Sequence, residues 1–257
     1  MSRISSVFDN KKGTLLIPYL TAGYPSLQET VEAVLLLEKS GADIIELGIP
    51  FSDPLVDGVT IQQAANKALQ NGVNIKMCIN AVRLIRKSSS IPLIFMGYYN
   101  PILQYGLEDF CADSSSAGVD GFIIPDLPPE EAGMLEKSAF SRGLDLIYLV
   151  APNTPDERVK YIAERSRGFL YLVSVEGVTG MRESLPPGLP EFVKRVKKHA
   201  SLPLCMGFGI STKEQAGRIA QLVDGVIVGS SIICHLSGKN WRTALPAYVH
   251  ELKSHFR

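Results

Sequence analysis

Eight short runs of the chain are apolar almost without interruption: 14–20, 43–49, 91–98, 120–126, 145–151, 168–175, 202–209 and 224–230. They do not alternate in polarity, which is how parallel strands read when both faces of their sheet are covered. Between them the period changes to that of a helix. SLQETVEAVLLLEKSG opens on a Ser cap and closes on Gly41, with Val31, Val34, Leu35 and Leu37 forming one stripe and Glu29, Glu32 and Lys39 the wet side. IKMCINAVRLIRKSS, EEAGMLEKSAFSRG, PDERVKYIAERSRG, PEFVKRVKKHA, KEQAGRIAQLV and WRTALPAYVHELKSHF repeat the pattern. Pro246 in the last implies a kink or a late start. Gly106 splits ILQYGLEDFCADSSSAG into a short helix and a longer one.

SGADIIEL, AGVDGFII, RGLDLIYL and LVDGVIVG each set an Asp at the mouth of a strand. A repeated unit of strand and helix, with no linker or shift in composition, predicts a single α/β domain over 1–257, a closed (β/α)8 TIM barrel. An open doubly wound sheet is the alternative, but AGYPS after the first strand is not the Gly-rich dinucleotide turn.

The spacing of the units locates the candidate function. Successive runs start 29, 48, 29, 25, 23, 34 and 22 residues apart, so the units after the second and sixth strands are extended. In such a barrel the segment after each strand emerges at the C-terminal face, where active sites lie. FSDPLVDGVTIQQAANKALQNG and EGVTGMRESLPPGLP are therefore expected to be lids or binding loops.

The seventh run ends in GFGIS and the eighth in VGSSI, with IICHLSG forming a short extra helix before the last long one. Gly209, Gly229 and Ser230 thus fall where backbone N–H groups at a Gly-rich turn and a helix start hold a phosphate. Glycines that merely end strands are the other reading. Gly180, in GVTG, can fold over the same group.

Glu46 stands among Ile44, Ile45, Leu47 and Ile49, with no Lys or Arg between Lys39 and Lys67. Desolvation there raises a carboxyl's pKa toward the range of a general acid or base. An ion pair inside the barrel mouth is the alternative. Asp57 precedes Gly58 in the long loop and reads as a second acid or as a turn-former; Asp53, before Pro54, fits the turn role better. Tyr19, Tyr98, Tyr171 and Phe208 at strand ends suggest a flat apolar ligand with a phosphorylated tail, or ordinary barrel core.

Composition narrows the field further. In 257 residues, Lys plus Arg equals Asp plus Glu at 26 each, so no net field favours nucleic acid or an anionic membrane. No apolar run suits a transmembrane helix or a signal peptide, and the expectation is a cytoplasmic chain. Cys78, Cys111, Cys205 and Cys234 are scattered and read as reduced core thiols. His199, His235, His250 and His255 lie away from the strand ends, and no metal site is expected.

ELGIPFSDPLVDG followed by TIQ, then GYYNP, PDLPPEE, GVTG, GFGIS and VGSSI resembles, in that order and over essentially the whole chain, the α subunit of tryptophan synthase. The resemblance implies a barrel that cleaves indole-3-glycerol phosphate to indole and glyceraldehyde 3-phosphate without a cofactor of its own. It implies transfer of the indole to a pyridoxal-phosphate β subunit in an αββα heterotetramer. The family's catalytic Glu and Asp match Glu46 and Asp57. Tyr171, Thr179, Gly180, Phe208, Gly209, Gly229 and Ser230 match positions that line or cradle the substrate, and Tyr19 and Met96 match pocket positions more loosely. Two departures stand out: Val59 replaces the usual Pro after DG, and Val175 replaces an Arg ahead of GVTG. They leave a second reading, a weakly catalytic barrel that mainly activates its β partner. A different sugar-phosphate isomerase or aldolase would need a Lys or Asp/Cys set at other strand ends, which is absent.

Overall fold

The computed structural model describes residues 2–173, 188–207 and 213–256. Nine strand segments run in the order β5-β4-β3-β2-β1-β9-β8-β7-β6. They are β1 (Leu15–Thr21), β2 (Ile45–Gly48), β3 (Leu93–Met96), β4 (Gly121–Ile123), β5 (Asp145–Ile147), β6 (Leu149–Val150), β7 (Leu170–Val173), β8 (Leu204–Gly207) and β9 (Gly225–Val228). Every pairing is parallel.

The two ends of that order, β5 and β6, are pieces of one extended run, which brings the sheet round into a nearly closed barrel. At Tyr148 this run changes partners. Its first half pairs with β4 and its second with β7. The Tyr148 N–H donates to Ser166 Oγ at 3.2 Å, and its carbonyl accepts from Tyr171 N at 3.0 Å. The eight predicted strands are all present, the fifth in two pieces.

The helices surround this sheet. They are α1 (Arg3–Asp9), α2 (Leu27–Lys39), α3 (Val59–Gln70), α4 (Ile75–Arg86), α5 (Tyr99–Tyr105), α6 (Leu107–Ala117), α7 (Gly133–Phe140), α8 (Asp156–Arg165), α9 (Leu189–Lys197), α10 (Lys213–Ala220), α11 (Ser230–Leu236) and α12 (Trp241–Lys253). Ser26 caps α2 by accepting from Glu29 N at 3.2 Å, while its hydroxyl donates to the Glu29 carboxylate at 3.0 Å. The buried stripe of α2 is Thr30, Ala33, Val34 and Leu37, so Val31 and Leu35 sit at its margin rather than in it. Gly118 ends α6 at φ 97°, a left-handed conformation that an L side chain resists. Helix α12 starts at Trp241 and runs through Pro246.

Two features differ from expectation. The N-terminal segment forms α1, whose Ile4 and Phe8 are buried, Phe8 lying 5.9 Å from the Phe169 ring. The long segment after β2 is only partly loop, because Val59–Gln70 is helix α3, with Ala64, Ala65 and Ala68 buried. Small residues at this spacing let a helix approach the barrel closely. The short extra helix before the last long one is α11.

The Asp repeated at each strand mouth has a structural task at the N-terminal rim. Asp43 accepts from Leu16 N at 2.7 Å, Asp120 from Leu93 N at 2.8 Å, and Asp224 from Leu204 N at 2.9 Å. Each thereby satisfies an N–H at the start of a neighbouring strand, the first of β3 and β8 and the second of β1. Each is also held by a cation: Asp43 by Lys253, Asp120 by Arg3 and Arg86, Asp224 by Lys11. Above this rim, Phe110 of α6 packs on Phe122 and Phe95, with ring centroids 4.8 and 6.3 Å away. Full burial of each such ring contributes about 1.5–3 kcal/mol. Stability is thus concentrated at the N-terminal rim and beneath the helices, leaving the C-terminal face free for chemistry.

Candidate active site

Glu46 is the second residue of β2, in register with Tyr19 on β1 and Ile94 on β3. It is 1% exposed, and its Oε2 has no hydrogen-bond partner among the described residues. An unpaired carboxylate there would be costly, so the group holds its proton instead. Burial pushes Glu46 up to about 8, and the charge of Asp57 adds to the rise.

Asp57 follows β2 in the loop that leads to α3, and it is 6% exposed. The sequence placed it on a mobile loop; the structure tucks it inward. Its carbonyl accepts from Gln62 Nε2 of α3 at 2.8 Å. Burial raises its carboxyl to about 6, while a hydrogen bond from the Tyr98 hydroxyl acts in the opposite direction. Near pH 7 the pair therefore holds one proton, on Glu46, and one negative charge, on Asp57. Two neighbouring carboxyls with separated pKa values can act as a proton carrier and a fixed anion.

Tyr19 and Tyr171 stand over the same space. Both are buried, and their phenols are raised by burial and by the charges of Glu46 and Asp57. Each ring lies across the glycine that ends the next strand. A methyl built on Gly48 would meet Tyr19 Oη at 2.1 Å, and one on Gly207 would meet Tyr171 Oη at 2.1 Å. These two glycines were not singled out from the sequence. The signal was available: IELG and LCMG both end in Gly, two residues past the register partner of a Tyr.

Met96 ends β3 and is buried; its carbonyl accepts from Ile49 N at 2.7 Å, which fixes the exit of β2 beside it. Gly229 follows β9 and caps α11, whose first residue is Ser230. The space above Gly229 is bordered by Tyr19 and by Ile61 of α3, at 3.4 and 3.5 Å from where a Cβ would stand. The turn into α11 thus opens beside Tyr19, and the start of a helix is suited to an anion. The structure brings Tyr19, Glu46, Asp57 and Tyr171 into electrostatic contact, with Gly229 against Tyr19. Thr179, Gly180, Phe208 and Gly209 lie outside the described residues.

Among the described residues no helix is long and apolar enough to cross a membrane. Cys78, Cys111 and Cys205 are buried free thiols, whereas Cys234 is exposed and not part of the core.

The chain is similar to known proteins over most of its length. The family model described as tryptophan synthase alpha chain matches residues 6–253. The tryptophan synthase alpha chain of Dehalococcoides mccartyi is 57% identical over 233 residues, 91% of each chain. That of Chloroflexus aggregans is 46% identical over 261 residues, 99% of this chain and 98% of its own. Among solved structures, a chain of Mycobacterium tuberculosis tryptophan synthase superposes with a TM-score of 0.91 at 40% identity, covering 99% of this chain and 98% of its own. The tryptophan synthase alpha chain of Legionella pneumophila gives 0.90 at 39% identity, covering 99% and 97%. The chain belongs to the tryptophan synthase alpha chain family.

Proposed function

We propose that this chain cleaves indole-3-glycerol phosphate to indole and glyceraldehyde 3-phosphate, with Glu46 moving the proton and Asp57 holding the indole ring. The observation that carries the reading is the split between the two buried carboxyls, Glu46 at about 8 and Asp57 at about 6.

The reaction is a retro-aldol in which indole leaves through C3. It leaves well only when C3 is protonated. Glu46, protonated near neutrality, gives that proton to C3. Asp57, ionised, accepts a hydrogen bond from indole N1–H and stabilises the positive charge that builds on the ring nitrogen. The bond between C3 and the glycerol carbon then breaks, its electrons restoring the aromatic ring. The Glu46 carboxylate takes the proton from the hydroxyl on that carbon, which becomes the aldehyde. Glu46 ends as it began, and no external acid or base is consumed.

Tyr19, Met96, Tyr171, Thr179, Gly180 and Phe208 would enclose the substrate, and Gly180, Gly209, Gly229 and Ser230 its phosphate. The position of Gly229 and Ser230 at the turn into α11 supports the second assignment. Catalysis by side chains alone asks for no cofactor in this chain. The indole would pass to a β subunit that carries pyridoxal phosphate, in an αββα assembly. Leu55 and Val59 after β2, 77% and 66% exposed, with Leu103 after β3 and Met134 after β4, put large apolar side chains in segments that follow three adjacent strands. Exposed apolar side chains in these segments suit a protein partner.

The test is indole release from indole-3-glycerol phosphate by this chain, alone and mixed with a tryptophan synthase β subunit. Indole should appear in both, faster with the partner. No indole in either, with β-subunit activity still raised by the chain, would replace this reading with that of an activator.

A further inference from the structure

We propose that Tyr98 is a positioning residue for this reaction, its hydroxyl fastening the loop after β2 so that Asp57 is held at the place where the indole nitrogen arrives. The inference rests on the proposed role of Asp57.

Tyr98 sits just past β3, on a stretch fixed at both sides. Gly97 N donates to Ile123 O at 3.0 Å, and Tyr99 N donates to Asp126 Oδ1 at 2.9 Å. The side chain is buried and reaches across to the neighbouring β2–α3 loop. There it makes three contacts. Its ring packs on Phe51 at the start of the loop, with centroids 5.5 Å apart and planes at 36°. Its hydroxyl oxygen accepts from Val56 N at 3.2 Å. The hydroxyl also faces the Asp57 carboxylate, whose charged form it favours. A phenol has one proton and two lone pairs, so accepting from Val56 and donating to Asp57 are compatible.

Among the described residues, the loop between these contacts has little else to hold it. Ser52, Asp53 and Leu55 are exposed. On the α3 side, Gln62 holds only the Asp57 carbonyl, leaving the carboxylate direction to Tyr98. A catalytic anion that wanders by an ångström loses much of its effect. A donor on the carboxylate also favours its ionised form. Among the described residues, the other titratable groups facing Asp57 are Glu46 on β2, Tyr19 on β1 and Tyr171 on β7, and none of these is a cation.

Tyr98→Phe keeps the ring against Phe51 and removes only the hydroxyl. In the enzyme assembled with its β subunit, kcat should fall about tenfold or more with KM changed less than about threefold. The acidic limb of the kcat/KM profile should move to higher pH. The Val56 amide should exchange faster with solvent deuterium, a reading independent of catalysis. Phe51→Leu, which loosens the ring but retains the hydroxyl, should lower kcat and leave the acidic limb in place; it also tests the fastening if Tyr98→Phe fails to fold. Asp57→Asn, run in parallel, separates the two ideas. If Asp57→Asn is fully active, the role of Asp57 fails, while Val56 exchange still judges the fastening. An unmoved acidic limb together with unchanged Val56 exchange in Tyr98→Phe would overturn the proposal.

Discussion

Tyr19 and Gly48 share one space: the phenol of Tyr19 lies where a side chain on Gly48 would begin, with 2.1 Å between its oxygen and the position of a Cβ. Tyr19 is also the register partner of Glu46, two residues before that glycine. The ring therefore lies along β2 over the strand that carries the proposed proton carrier, and the absence of a side chain at 48 is what allows it.

Gly48→Ala should drive the Tyr19 ring away from Glu46. Overpacking of this kind costs about 1–3 kcal/mol of stability, and kcat/KM should fall with it. Tyr19→Ala removes the obstacle. A double-mutant cycle should then show non-additivity of about 1 kcal/mol or more. Additive effects would mean that the two positions do not meet. Gly207 and Tyr171 are related in the same way and should behave alike.

The two carboxyls predict a bell-shaped dependence of kcat/KM on pH. Activity should rise as Asp57 ionises near 6 and fall as Glu46 loses its proton near 8. The limbs report the pair as a whole. A profile flat from pH 5 to 9, with chemistry rate-limiting, would contradict the division of labour.

Glu46 should also be detectable in stability. Its folded value of about 8 lies above its ordinary 4.5, so between those pH values the native state binds more protons than the unfolded chain. Its contribution therefore becomes unfavourable as pH rises through that interval, by up to a few kcal/mol. Glu46→Gln lacks this titration. Its stability relative to wild type should increase from pH 4 to pH 9, as read by urea unfolding. A constant difference would show that the carboxyl is not buried as described.

At the opposite face, buried Asp120 joins Leu93 N, the largely covered Arg86 and the exposed Arg3. Asp120→Ala leaves a partly buried guanidinium and a strand N–H unsatisfied, and should cost about 3–5 kcal/mol. Activity per folded molecule should be unchanged. A cost below about 1 kcal/mol in urea unfolding would mean that solvent replaces the carboxylate.

Much of this was legible in the sequence because the same residues did two things. The Asp at each strand mouth marked the repeat, and its physical reason is the strand N–H that it satisfies at 43, 120 and 224. Glu46 was conspicuous because no cation lay near it in sequence, and among the described residues none pairs with it in the fold. What was hidden depends on contacts between distant segments. The break at Tyr148 exists because that run must pair with β4 and then with β7. Helix α1 carries only two buried residues in seven, too short a pattern to read. The whole of α3 was taken into the loop, although its alanines at 64, 65 and 68 already had helical spacing. Nothing in ELGIPFSDPLVDG showed that Asp57 would be buried beside a tyrosine 41 residues later.

The central claim is that Glu46 moves the proton, and one rate tests it directly. Indole release from saturating indole-3-glycerol phosphate should be measured at pH 7 for wild type and Glu46→Gln, each with the β subunit present. Glutamine keeps the shape and cannot carry the proton, so the rate should fall by about 10²–10⁴-fold or more. A Glu46→Gln rate within about threefold of wild type would contradict the account.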